Sequence, residues 1–209
     1  MTELKLLILG DPHIPRRAKE IPSLIMDKLQ TEANKNLYDY TFFTGDLIKY
    51  PDLLENLNSW TRNRVLRVLG NMDYYSGDNN SPIYEELMIS LNEGNLLIGI
   101  THGSQIRDRG NHKQLESIAT EKGYNILISG HTHKEEIVLT DNGILLLNPG
   151  SITGAWSFIA SRIPSYLNLK ININQNTITT LLFQLDIVNE IINQQKTKYI
   201  FENGKIKKK

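Results

Sequence analysis

The stretch LKLLILGDPH, residues 4–13, sets a pattern that the chain repeats: an apolar run of strand length ends in a turn with glycine and a polar side chain. Four further runs end in the same way, at residues 39–43, 65–69, 96–100 and 125–128. Continuous apolar runs are typical of strands buried on both faces. Helical patterns lie at residues 22–34, 51–61 and 111–122. This alternation predicts a layered α/β domain.

The second half of the chain predicts hairpins in place of strand–helix units. Residues 135–140 and 144–147 flank an Asp-Asn-Gly turn, and residues 166–173 and 177–185 flank Asn-Gln-Asn. We therefore expect two facing sheets with helices outside, in a single domain over residues 1–185. Residues 186–209 form a C-terminal extension with a basic end. A short helix near 188–192 and a strand near 199–201 are expected there, with a mobile tail as the alternative.

The composition excludes several classes of function. The 209 residues contain 23 basic and 23 acidic side chains, so nothing favours general binding to nucleic acid. Cysteine is absent, which excludes disulfides and thiolate metal sites and suits a cytoplasmic protein. The first ten residues show no signal-peptide core. No apolar stretch approaches the roughly 20 residues that span a bilayer.

The polar residues at the strand ends are nitrogen and oxygen donors. In α/β sheets the loops beyond the strand C-termini converge on one crevice, so distant turns can meet. Gly-Asp and Gly-Asn are common turn dipeptides and carry little information alone. Five such motifs in order, including Gly-His-Thr-His, predict a centre for two divalent ions, with Mn, Zn or Fe favoured. The candidate ligands are Asp11, His13, Asp46, Asn71, His102, His131 and His133.

These motifs, read as Asp-x-His, Gly-Asp, Gly-Asn-x-Asp, Thr-His-Gly and Gly-His-Thr-His, resemble those of the calcineurin-like metallophosphoesterases over residues 4–185. The resemblance implies a four-layer α/β/β/α sandwich. It also divides the ligands between two ions, the first held by Asp11, His13 and His133 and the second by Asn71, His102 and His131. Asp46 would bridge the ions, and Asp73 would support the ligands or shape their turn.

Within this superfamily the chain resembles the retromer-subunit group. The matching segments are GDPHIPRR at 10–17, ISGHTHK at 128–134, NPGS at 148–151, TGA at 153–155 and IPS at 163–165. Small prokaryotic phosphodiesterases share the metal motifs but usually open with Asp-Thr-His or Asp-Ser-His. The resemblance implies an α-solenoid protein partner and peripheral membrane attachment through that partner.

Two positions depart from the pattern of strongly active members. Met72 stands where those members carry a histidine, and a thioether cannot transfer a proton. General acid help is typically worth 10²–10⁴-fold, so we expect weak phosphomonoesterase activity and assign no catalytic residue. Ser104 stands where many members have a second histidine. Asp46, in contrast, is a true carboxylate, whereas the animal retromer subunit has asparagine there.

Two functions therefore stay open. The favoured interpretation is a retromer-subunit-like scaffold of a membrane-trafficking complex that keeps a dinuclear metal site. The alternative is a metal-dependent phosphodiesterase that uses a metal-activated hydroxide on a phosphodiester substrate. No long insertion caps the cleft, and only residues 74–92 could shield it. Nucleic acid is a weaker third candidate as substrate.

Overall fold

The computed structural model describes residues 2–209. The strands are β1 (Glu3–Leu9), β2 (Tyr38–Phe43), β3 (Thr61–Arg67), β4 (Tyr84–Leu91), β5 (Gly94–Thr101), β6 (Ile126–Ile128), β7 (Glu135–Leu139), β8 (Leu145–Pro149), β9 (Ser165–Asn172), β10 (Thr177–Asp186), β11 (Ile191–Glu202) and β12 (Lys205–Lys208). The helices are α1 (Ser23–Lys35), α2 (Pro51–Trp60), α3 (Asn71–Tyr75) and α4 (His112–Lys122).

Twelve strands of the described chain form two sheets. The large sheet has the order β12-β11-β10-β9-β1-β2-β3, and the small sheet has the order β4-β5-β6-β8-β7. The strands β1, β2 and β3 run parallel, as do β5, β6 and β8. Because parallel strands end at the same edge, the turns that follow them lie together in each sheet.

Three buried cores separate the layers. Alternate residues of β1 face opposite ways, so Leu6 and Ile8 join the core between the sheets, while Leu7 and Leu9 pack beneath α1 and α2. The third core lies between α4 and the small sheet, where Leu115 contacts the apolar face of β6 and β8. The layers are therefore helix, sheet, sheet and helix, as the resemblance implied. β1 is buried on both faces, as its continuous apolar run predicted.

Local sequence explains the helix boundaries. α4 begins after Asn111, whose side chain accepts hydrogen bonds from the backbone N–H groups of Lys113 (3.1 Å) and Gln114 (3.2 Å). It ends at Gly123, whose φ of 73° is the left-handed conformation of a helix C-cap. Proline occupies the first position of α2, where its missing N–H costs nothing.

The five predicted strands, three helices and two hairpins are all present, with shifts of a few residues at their ends. The expected helix near 188–192 is wrong, because residues 187–190 form a turn and β11 begins at Ile191. Ten residues of β11 pair with β10, and this ladder overrides the local composition. Its Asn, Gln and Lys side chains face solvent, so the sequence of this strand lacks the usual alternation of apolar and polar residues. β4, β12 and α3 had no counterpart in the sequence analysis.

The basic end of the chain contributes β12, which pairs antiparallel with β11. Ile206 of this strand and Phe201 of β11 are buried in the core between the two sheets. Residues 186–209 thus complete the large sheet. Within residues 2–209, none of the helices has the length and apolar character needed to cross a bilayer.

Candidate metal centre

The seven candidate ligands come from five turns that follow parallel strands. Asp11 and His13 follow β1, Asp46 follows β2, Asn71 begins α3 after β3, His102 follows β5, and His131 and His133 follow β6. The structure brings all seven side chains together across the ends of the two sheets. We call these seven side chains the donor cage. All of its members except Asn71 are buried.

One end of the donor cage is built by Asp11, His13 and His133, with Asp46 beside them. The Nε2 atoms of His13 and His133 are 2.9 Å apart. His133 Nε2 lies 3.3 Å from Asp11 Oδ1, and His13 Nε2 lies 3.1 Å from Asp46 Oδ2. One ligand atom from each of these four residues lies within 4.8 Å of the others, so a single cation could contact all four.

The other end is built by Asn71, His102 and His131. His102 Nε2 lies 3.0 Å from Asn71 Oδ1 and 3.2 Å from His131 Nδ1. The same His102 nitrogen is 3.5 Å from Asp46 Oδ2. Asp46 Oδ2 therefore faces both ends of the donor cage.

Backbone carbonyls set the protonation of two imidazoles. His102 Nδ1 donates to the carbonyl of Thr44, and His133 Nδ1 donates to that of Ala155, both at 2.8 Å. A carbonyl can only accept, so in the neutral rings the lone pair lies on Nε2, which faces the donor cage. Metal-ligating histidines are commonly oriented in this way through their second nitrogen.

The backbone is strained at five of the seven positions. Positive φ angles occur at Asp11 (51°), His13 (51°), Asp46 (58°), His131 (67°) and His133 (57°). Non-glycine residues rarely adopt this region. Each such residue costs on the order of 1–3 kcal/mol and persists where the surrounding structure enforces it, often at functional sites. The fold therefore maintains this geometry against a local preference.

Electrostatics keep the two carboxylates ionised. Burial would raise the pKa of Asp11, but the hydrogen bond and charge of His133, together with His102 and His13, outweigh it and lower that pKa. The pKa of Asp46 is also lowered, because its contacts with His13 and His102 outweigh burial and repulsion from Asp11. Ionised carboxylates are the form that binds a cation.

The imidazoles differ in their protonation. Burial, with smaller effects of His102 and Arg109, lowers the pKa of His131 to about 4 and keeps this ring neutral. Burial would also lower the pKa of His133, but its hydrogen bond to Asp11 and the charge of that carboxylate raise it. His13 Nδ1 is buried without a hydrogen-bond partner among the described residues. Two close nitrogen pairs, two carboxylates and no thiolate fit a borderline or hard divalent cation.

Asp73 lies behind the donor cage and holds its turns. Its carboxylate accepts hydrogen bonds from the backbone N–H groups of Asp46 (2.8 Å), Ile48 (2.8 Å) and Gly70 (3.2 Å). These contacts link the turn after β2 to the turn after β3. The backbone N–H of Met72 donates to Asp46 Oδ1 at 2.7 Å. Ser104 is exposed and lines a neighbouring cavity with Asn71 and His102.

Two arginines at the rim were not among the candidates from sequence. Arg17 donates to the carbonyl of Trp156 at 2.7 Å, and its guanidinium carbon lies 5.8 Å from the centre of the Trp156 ring. Arg109 donates to the carbonyl of His131 at 3.3 Å and lies 5.6 Å from the centre of the Phe158 ring. We call Arg17 and Arg109 the rim arginines. Their charges influence the pKa values of His133 and His131, respectively.

Comparisons with known proteins agree with this geometry. The family model described as the calcineurin-like phosphoesterase superfamily domain matches residues 4–172. A probable metallophosphoesterase of Methanocaldococcus jannaschii is 34% identical over 146 residues, which are 70% of this chain and 67% of that protein. A probable metallophosphoesterase of Methanothermobacter thermautotrophicus is 35% identical over 146 residues, 70% of this chain and 76% of that protein.

Solved structures of vacuolar protein sorting 29, the retromer subunit, share the fold. That of Cryptosporidium parvum has a TM-score of 0.82 and 27% identity, covering 96% of this chain and 100% of its own. The wild-type protein of Entamoeba histolytica in complex with Zn²⁺ has a TM-score of 0.76 and 28% identity, covering 93% of this chain and 99% of its own. From its sequence motifs, its layers and these matches, the chain belongs to the calcineurin-like phosphoesterase superfamily.

Proposed function

We propose that this chain is a metal-dependent phosphodiesterase that acts on esters with good leaving groups. The observation that carries the proposal is the donor cage, in which seven nitrogen and oxygen side chains from five turns meet in strained and largely buried positions. A scaffold alone does not require such an arrangement. The cage favours Mn, Zn or Fe among divalent ions.

The donor cage and the rim arginines would have separate roles. Asp11, His13 and His133 would hold one cation and Asn71, His102 and His131 a second, with Asp46 contacting both. Bound divalent cations supply Lewis-acid stabilisation of a phosphoryl group and make a nearby water more acidic. The rim arginines offset the negative charge of the phosphate, and their planar guanidinium groups suit its oxygens.

Proton transfer to the leaving group is the weak step. Met72 carries no transferable proton, and His131 is neutral at pH 7 because its pKa is lowered to about 4. A leaving group that needs no acid assistance, such as 4-nitrophenolate, therefore suits this site better than an alkoxide. Phosphomonoesters with poor leaving groups should react slowly.

The test combines metal content with turnover. The protein is loaded with Mn²⁺, bound metal is counted, and hydrolysis of bis(4-nitrophenyl) phosphate is measured for wild type and Asp46→Ala. Asp141→Ala, in an exposed hairpin turn, is the matched control. We expect turnover by wild type and control, and loss of at least 10²-fold with Asp46→Ala. Stoichiometric metal without turnover would reject the hydrolase.

A scaffold of the retromer-subunit type is the second candidate, and one surface favours it. Val188 is 91% exposed and Ile187 63% exposed in the turn before β11. They adjoin a cleft of about 320 Å³ whose wall combines the apolar Ile163 and Ile187 with charged residues such as Arg162 and Asp186. Exposed apolar clusters of this kind commonly contact other proteins. An α-solenoid partner would suit the likeness to vacuolar protein sorting 29.

This second candidate has its own test. The wild type and Val188→Asp are used as baits in parallel pull-downs. An α-solenoid protein retained by the wild type and lost with Val188→Asp would favour the scaffold, provided both baits bind equal amounts of Mn²⁺. Equal recovery by both baits would remove this surface as the contact.

A further inference from the structure

A cavity of about 230 Å³ opens beside the Asn71 and His102 end of the donor cage. Most of its wall is apolar or aromatic, and Asn71 and His102 themselves contribute to it. We call it the tyrosine cavity, after Tyr74 and Tyr75. A ligand that fills it is in contact with two of the residues that would hold a cation.

The aromatic wall follows from the position of α3. This helix begins at Asn71, so Tyr74 and Tyr75 lie three and four residues further on, on the face that Asn71 shares. Tyr74 is 57% and Tyr75 is 72% exposed, and their ring centres are 5.8 Å apart in an edge-to-face arrangement. Ile83, 59% exposed, adds an apolar contact before β4. Large exposed apolar groups around a concave surface are typical of binding sites.

The donor cage has charged and uncharged surroundings. Arg17 lies near His133 and Arg109 lies near His131, and the two guanidinium groups contact the rings of Trp156 and Phe158. These arginines suit the anionic oxygens of a phosphate. The tyrosine cavity contains no charged side chain in its wall and suits an uncharged ring.

We propose that the tyrosine cavity binds an aromatic ring esterified to the phosphate that occupies the metal centre. This inference rests on the proposed function and names its substrate class as aryl phosphodiesters. The volume is below the roughly 300–1,000 Å³ of sites for drug-sized ligands and fits a single ring system. Tyr74 and Tyr75 provide ring–ring contacts, which typically contribute about 2- to 10-fold in affinity each.

The experiment measures binding separately from hydrolysis. Calorimetry on the Mn²⁺-loaded protein compares phenyl phosphate with methyl phosphate, which have the same charged group. We expect the wild type to bind phenyl phosphate at least 10-fold more tightly. The double variant Tyr74→Ala/Tyr75→Ala should reduce this preference for phenyl phosphate to a ratio near 1. The single variant Ile83→Ala should reduce it to about 3. Neither variant should change the Mn²⁺ stoichiometry.

The control is Met88→Ala, which removes an exposed apolar side chain from β4 outside the tyrosine cavity. It should keep the wild-type ratio. A ratio near 1 in the wild type, or a full ratio in both cavity variants, would overturn the proposal. Phenyl selectivity that depends on the cavity, without turnover of bis(4-nitrophenyl) phosphate, would support the cavity and reject the hydrolase. Turnover of bis(4-nitrophenyl) phosphate without selectivity for phenyl phosphate would support the hydrolase and overturn the proposal for the tyrosine cavity.

Discussion

The Nε2 atoms of His13 and His133 lie 2.9 Å apart, although 120 positions separate these residues in the chain. His133 donates its Nδ1 proton to Ala155, so in its neutral form the lone pair of Nε2 points at His13. The carboxylates of Asp11 and Asp46 lie beside the pair, at 3.3 Å from His133 Nε2 and 3.1 Å from His13 Nε2. Lone pairs and negative charge thus concentrate at one buried point, where a cation would relieve their repulsion.

Metal should therefore stabilise the folded chain. At an Mn²⁺ concentration of 100 times the Kd, ligand binding contributes about 2.7 kcal/mol. For a chain of this size that corresponds to a rise in Tm of roughly 5–10 °C. Differential scanning fluorimetry after EDTA treatment, with and without Mn²⁺, measures the rise. Asp11→Asn should lose most of it, and His112→Ala, outside the donor cage, should keep it. An equal rise in all three proteins would contradict a cation in the cage.

Asp73→Asn should weaken the link between two ligand turns. One carboxylate oxygen accepts from the N–H groups of Asp46 and Gly70 and the other from that of Ile48, so asparagine, which keeps a single oxygen, loses one of these two sets. Leaving a buried N–H without a partner costs about 1–3 kcal/mol. Urea denaturation should show a loss of this size, and Mn²⁺ affinity should fall because the turn that carries Asp46 loses a hydrogen bond at Asp46 or at Ile48. The exposed turn variant Asp141→Asn is the control, and an unchanged Mn²⁺ affinity in Asp73→Asn would show that the anchor is dispensable.

Gly70→Ala should displace the carboxylate of Asp46. A methyl group on Gly70 would overlap Oδ1 and the backbone N of Asp46. The φ of Gly70 is −79°, which alanine adopts freely, so the cost is steric, about 1–3 kcal/mol. We expect Mn²⁺ binding to weaken at least 10-fold by calorimetry. Gly77→Ala has open space around the added methyl group and should lower stability without affecting Mn²⁺. Equal effects of both variants on Mn²⁺ would count against the steric argument.

Glu32 should make stability depend on pH. Burial would raise its pKa, but the charges of Lys5 and Lys28 and hydrogen bonds from Tyr38 and Asn168 outweigh burial and lower the pKa below 4.5. A lowered folded-state pKa stabilises the protein above the unfolded value, and this contribution is lost as the pH falls through the folded value.

The measurement for Glu32 is urea denaturation at pH 7 and pH 3. Glu32→Gln should reduce the free energy of unfolding at pH 7, by less than about 1 kcal/mol because solvent screens the partly exposed ion pairs. At pH 3 the variant and the wild type should differ less. Glu55→Gln, an exposed glutamate on α2, should behave like the wild type at both values. If the free energy of unfolding of Glu32→Gln fell further below that of the wild type at pH 3 than at pH 7, the lowered pKa of Glu32 would be contradicted.

The C-terminal extension should contribute to global stability. Phe201 is buried between the sheets, and Phe201→Ala should cost about 3–5 kcal/mol through lost burial and the cavity left behind. Val188→Ala, at an exposed position of the same extension, should stay within about 0.5 kcal/mol of wild type. If Phe201→Ala had the same midpoint urea concentration for unfolding as the wild type, the hairpin of β11 and β12 would not contribute to the stability of the core.

Where strands carry apolar runs, local pattern was sufficient to predict them. The turns after β1, β2, β3, β5 and β6 carry the seven candidate ligands because each apolar run ends in glycine and a donor residue. Only the part of β11 near residues 199–201 was predicted. The rest was missed because its exposed Asn, Gln and Lys side chains mask the alternation of apolar and polar residues, and its pairing with β10 is a long-range interaction. The rim arginines were not predicted as site residues: Arg17 lies in the matching segment at 10–17 without an assigned role, and no local pattern distinguishes Arg109 from a solvated charge.

The order of donors and glycines along the chain was enough to place the candidate ligands at strand ends that meet at one edge, and its resemblance to a known superfamily implied the four layers. Packing of the two sheets decided the rest. It placed Asp46 between both ends of the donor cage and held five candidate ligand residues at positive φ. Those relationships join side chains through space, and no local preference of the chain specifies them.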